Sequence, residues 1–101
     1  MRVFLLPIFT LVSACSTVDN TFVVMDEQKA VSGAKLVLCG SEVPLRRSGD
    51  RLSVSKAIDC EGSGHITLRY ASGDEHVCVI GYVTPGAAQS FTFRATERRC
   101  A

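Results

Sequence analysis

The sequence predicts an all-β domain, a small antiparallel β-sandwich or barrel of six to seven short strands held by two disulfides. Three observations predict it. Apolar residues fall in short runs that either alternate with polar ones or stay apolar throughout, and no segment keeps the spacing of about 3.6 residues that marks an amphipathic helix. Turn residues recur at intervals of about ten residues, the rhythm of sandwiches and small barrels. Four cysteines lie in this region, Cys39, Cys60, Cys78 and Cys100, an even number suited to pairing.

The strands follow in order along the chain. Residues 22–25, Phe-Val-Val-Met, open the pattern, and Ser32-Gly33 turns into residues 34–39, Ala-Lys-Leu-Val-Leu-Cys. In residues 42–45 Pro44 lacks an N–H and so confines its segment to a sheet edge. Ser48-Gly49-Asp50 turns into residues 51–55, where Leu52 and Val54 alternate with polar neighbours. Gly62-Ser63-Gly64 turns into residues 65–70, which place Ile66, Leu68 and Tyr70 on one face. Ser72-Gly73-Asp74 leads into residues 75–83, the longest apolar run and therefore the expected central strand. Thr84-Pro85-Gly86 then turns the chain back along residues 90–94, with Phe91 and Phe93 inward. Neither an internal repeat nor a low-complexity segment is visible.

Four cysteines allow three connectivities. The local pairing, Cys39 to Cys60 and Cys78 to Cys100, closes two loops of about 20 residues, each stabilising by roughly 3 kcal/mol in the chain-entropy model. It is favoured over the other two, with one argument against it: a hairpin of residues 75–83 with 89–95 sets Cys78 opposite residue 94, so the tail must fold back to bring Cys100 near. A four-thiolate metal site is disfavoured, because no two cysteines have the close spacing such sites use.

Upstream of this domain the chain reads differently. Met1-Arg2 is followed by mostly apolar residues 3–12, a stretch about half as long as a spanning helix needs. It ends Val12-Ser13-Ala14-Cys15, an aliphatic residue, two small ones and a cysteine. This closely resembles the lipobox of bacterial lipoproteins, a resemblance confined to residues 1–15. The resemblance implies that residues 1–14 are a cleaved signal peptide and that Cys15 carries diacylglycerol and usually an acylated amino group. Residues 15–20 are then the lipidated cysteine and a short tether, and residues 21–101 a single β domain. Two or three acyl chains make such attachment effectively permanent. Ser16, where Asp signals inner-membrane retention in enteric bacteria, implies sorting to the outer membrane, with the domain facing the periplasm or the cell surface. An oxidising compartment agrees with paired cysteines.

Removing residues 1–14 from the 101 leaves 87, near the size at which one core is only just sufficient. Arg2 leaves with them, so ten Lys and Arg face ten Asp and Glu. A neutral balance argues against nucleic acid as a partner.

The search for chemistry is largely negative. Glu61-Gly62-Ser63-Gly64-His65 lacks the nucleophile-elbow pattern, and Ser63 and His65, two apart on one strand, do not face each other. His65 and His76 are set far apart by a turn centred near residues 72–74, with His65 opposite about residue 80. Asp26-Glu27, Asp59 with Glu61, and Asp74-Glu75 read as solvated acids at turns and strand ends. No catalytic residue and no metal ligand is therefore assigned, and the covalent lipid on Cys15 is the only attached group expected. The candidate contacts are the basic pairs Arg46-Arg47 and Arg98-Arg99, suited to phosphate or an acidic protein surface, and the uncharged tip at Pro85-Gly86.

These readings converge on a non-enzymatic envelope lipoprotein, anchored in the membrane, that acts as an interaction or structural module for an envelope protein. A second reading is a small periplasmic inhibitor. The layout resembles that of membrane-bound lysozyme inhibitors, although their Ser-Gly-Ala-Arg-Tyr type motif is matched only by Arg69-Tyr70-Ala71-Ser72-Gly73, in another order. An enzyme is the least favoured class.

Overall fold

Alternation of side chains along each strand decides where the chain folds, because every strand has one face to bury. The computed structural model describes residues 19–86, 88 and 90–95 in full, and residues 96, 99 and 100 by their backbone. Among the described residues the elements are nine strands and no helix: β1 Asp19–Met25, β2 Val31–Leu38, β3 Ser41–Pro44, β4 Arg46–Ser48, β5 Arg51–Ala57, β6 Gly62–Tyr70, β7 Glu75–Val83, β8 Ser90–Thr96 and β9 Arg99–Cys100. The signal segment and Cys15 lie outside the described residues.

The chain visits two sheets in turn. One has the order β4-β5-β1-β8-β9 and the other β3-β2-β6-β7. One core joins them: Phe22, Val24 and Leu52 from the first sheet bury against Leu36, Leu38, Ile66 and Leu68 from the second, with Ile58 from the loop between. The architecture is a sandwich of two layers. Each fully buried Leu, Ile or Phe contributes roughly 2 kcal/mol by leaving water.

Several expectations are corrected. The strand count exceeds six to seven because two short segments pair: β4, which carries the Arg46-Arg47 pair, lies antiparallel to β5, and β9 lies antiparallel to β8. The sandwich is not purely antiparallel, since β1 and β8 pair in parallel from Thr21↔Ser90 to Met25↔Arg94. The cause is the connection after β7, which crosses to the other sheet at the end where β1 also begins. No hairpin of β7 with β8 forms, and β7 is an edge strand of its sheet rather than a central one. Ser32-Gly33 is not a turn either; it sits in β2 at an irregularity in the pairing with β6. Gly62-Ser63-Gly64, likewise expected as a turn, belongs to β6. At Gly64 a Cβ would come within 2.6 Å of Leu38 Cδ1, so any larger residue would force the buried Leu38 side chain to shift. Strand β1 starts at Asp19, two residues before the expected start of the domain at residue 21, and Asn20 is buried.

Cys39 and Cys60 form a disulfide with 5.5 Å between Cα atoms. Cys39 and Gly40 link Leu38 to Ser41 with φ values of 55° and 72°, the two positive angles of a type I′ hairpin turn. The bridge therefore ties the β2–β3 turn to the entry of β6. Cys78 is buried, and the side chain of Cys100 lies outside the described residues.

Candidate functional site

Residues 65, 67 and 69 of β6 face outward, since Ile66, Leu68 and Tyr70 are buried. Their partners across the strand pair are Val79, Val77 and Glu75. A pairing irregularity between Gly64 and His65 leaves Ile80 without an opposite residue and inverts the alternation beyond it. Val83 consequently turns into the core while Tyr82 points out. The three exposed large apolar residues among the described residues, Val77 (54%), Val79 (69%) and Tyr82 (66%), thus lie along the outer face of β7.

Beside this stripe the same face is hollowed. Gly33 contributes no side chain, and Pro44 and Leu45 rise on the β3 side, leaving a groove of about 350 Å³ whose other walls include Lys35, Thr67, Arg69 and Glu75. Two exposed ion pairs frame the face, Lys35 with Glu42 at 3.4 Å and Arg69 with Glu75 at 3.1 Å. Exposed pairs of this kind stabilise by at most about 1 kcal/mol, so they remain available to rearrange around a partner. Val37 and His65 continue the row that ends at Val79. An apolar stripe with a charged rim is the composition of a protein-docking surface.

The candidate contacts scatter. Arg47 is committed to structure: Nη2 donates to Asp26 Oδ2 at 2.6 Å and to the Val31 carbonyl at 2.6 Å, and Nη1 donates to the Gly49 carbonyl at 3.0 Å. Arg46 is exposed on the opposite face of β4, which separates the pair onto two faces. Arg98 lies outside the described residues, and Arg99 is placed by its backbone in β9. Pro85 and Gly86 are exposed at the turn after β7, where the Gly86 N–H donates to the Ile58 carbonyl at 3.1 Å. Cys15 lies outside the described residues.

Asp26 corrects the reading of its turn as solvated. It is completely buried, and its carboxylate accepts from the Ala30 N–H at 2.9 Å, the Val31 N–H at 3.0 Å and Arg47. Burial by itself raises its pKa; the Arg47 hydrogen bond, the two backbone N–H donors and the Arg47 charge outweigh it and hold the carboxyl below its ordinary value.

His65 lies opposite Val79, one residue from the expected partner, and faces outward; His76 lies opposite Leu68, on the core-facing side of the strand. The two imidazoles occupy different faces of the sheet. Cys39, Asp59 and Cys60 have ligand atoms within 4.8 Å of one another, but the disulfide removes both thiolates, leaving one carboxylate. Sequence reasoning missed the β7 stripe because an apolar run reads alike at a sheet centre and at an edge. The visible signal was Gly81-Tyr82 within that run, a glycine where a bulge is accommodated.

No family model matches the chain, and no curated protein or solved structure is significantly similar to it.

Proposed function

We propose that the protein is a non-enzymatic lipoprotein of the bacterial envelope, anchored through lipid on Cys15, that docks an envelope protein on the outer face of β7. One observation carries the docking: Val77, Val79 and Tyr82 share a single exposed face, next to a groove and inside a charged rim. The anchor is supported by Val12-Ser13-Ala14-Cys15 after the apolar segment, and Ser16 supports the outer membrane as its destination. A fixed sandwich with short turns suits a contact surface better than it suits catalysis, which needs polar groups converging on a pocket.

The second disulfide belongs to the same reading. Cys78 is disulfide-bonded, while Cys39 and Cys60 satisfy each other. Strand β9, which carries Cys100, lies beside β7, so the fold-back that the tail requires is supported without a β7–β8 hairpin. Cys78 to Cys100 is the pairing these observations favour.

The docking is tested in intact envelopes with a photocrosslinking residue at Val79 and, as control, at Ser55 on the outer face of the other sheet. A discrete envelope-protein adduct from position 79 alone is expected. Equal adducts from both positions, or none from 79, would overturn it. Gly33→Phe adds a second arm, because Gly33 has an ordinary φ and open space around its Cβ; it fills the groove and should reduce the adduct without unfolding the domain.

A further inference from the structure

Three residues, 16–18, separate Cys15 from the first residue of β1. Four Cα steps span at most about 14 Å, at no more than about 3.5 Å each. On the reading that Cys15 is lipidated, the end of the sandwich where β1 begins cannot stand farther than that from the lipid surface.

The register identifies what else lies at that end. Asp19 pairs with Ala57 at the close of β5, and Thr21 with Ser90 at the opening of β8. The Gly86 N–H bond to the Ile58 carbonyl draws the turn after β7 to the same place. Gly62 opposite Val83 adds the start of β6 and the end of β7. Thr84, Pro85 and Gly86 are all exposed there and carry no charge. Just before them Tyr82 exposes its ring, and its hydroxyl donates to Glu61 Oε1 at 3.1 Å. A ring with a hydrogen-bonded polar tip is the kind of side chain that settles at a membrane–water boundary.

We infer that Tyr82 and the Thr84–Gly86 turn bed into the headgroup layer of the membrane that holds the lipid, so that the domain is fixed at two points and not by the tether alone. The inference rests on the anchor reading and adds an orientation to it. The available space selects the occupant. A folded partner of about 100 residues has a radius of gyration near 13 Å and is therefore wider than a gap of at most about 14 Å, which admits headgroups and water but no folded domain of that size. Charge selects the headgroup: Asp19, Asp59 and Glu61 are exposed at this end, which favours zwitterionic lipids bearing an ammonium group over anionic ones. The docking face keeps Val77, Val79 and the groove, which lie toward the opposite end of β7; Tyr82, where the stripe reaches this end, then serves the membrane and not the partner.

The chain contains no tryptophan, so one introduced indole reports without background. Tyr82→Trp and Thr84→Trp are prepared in the full lipidated protein, in phosphatidylethanolamine–phosphatidylcholine vesicles with brominated acyl chains, beside Ser48→Trp at the far end of the sandwich. Quenching of both near-end variants several-fold above Ser48→Trp is expected. Flotation of wild type and not of Cys15→Ser reports the anchor separately. Vesicle-bound protein with equal, weak quenching at all three positions overturns the membrane contact alone. Equal flotation of wild type and Cys15→Ser, or flotation of neither, overturns the anchor and the contact with it.

Discussion

Asp26 shows how a single side chain sets the pH range of a fold. Its carboxylate is buried against two backbone donors and Arg47, and its pKa is held down in the folded state. Such a group stabilises the fold above its unfolded pKa of about 3.9, and that stabilisation is lost as pH falls through the lower folded value. Asp26→Asn should therefore lower stability by about 2 kcal/mol near neutrality, because two backbone N–H groups and the half-exposed Arg47 lose their charged acceptor. The gap from wild type should narrow once the pH drops below about 4. Denaturant midpoints across this range check it, and a gap independent of pH would contradict it. The sequence at this point, an Asp-Glu pair beside a turn, carries no sign of burial. The neutralising Arg47 is 21 residues away and meets Asp26 only because β4 pairs with β5.

At the scale of elements, β7 carries the largest difference between sequence and structure. Its position as a strand was legible from composition, and so was the turn at 72–74 that sets its register with β6. Its place at the sheet edge was not, because that depends on the crossing after Val83, which local pattern does not encode. The bulge at Ile80 was equally hidden, although it decides that Tyr82 faces out and Val83 faces in. A comparison of two substitutions separates docking from stability. Val79→Lys, on the exposed face, should change stability by less than about 0.5 kcal/mol while abolishing partner capture. Leu36→Ala, in the core, should cost about 3 kcal/mol. Denaturation together with recovery of the partner reads both, and a Val79→Lys variant that unfolds or still captures the partner would contradict the assignment of the stripe.

At the scale of the whole molecule, the described residues form two sheets visited alternately, with the Cys39–Cys60 bridge tying two loops together at the end where β1 begins. The all-β class, the edge role of Pro44 and this bridge were legible, since each follows from local chemistry: alternation, a missing N–H, and cysteines at loop spacing. The parallel β1–β8 pair and the choice of outer face were not, because they arise from how distant strands share one core. Of the contacts read from sequence, the Arg46-Arg47 pair divides between two faces, with Arg47 spent on the fold, while Pro85 and Gly86 stand at the end where β1 begins. In the proposed arrangement that end meets the membrane and the groove faces a partner. Both assignments depend on the lipid at Cys15. The most direct measurement is incorporation of labelled palmitate into the full chain in a bacterial host: wild type should be labelled and Cys15→Ser should not, whereas equal labelling, or none in either, would contradict the account.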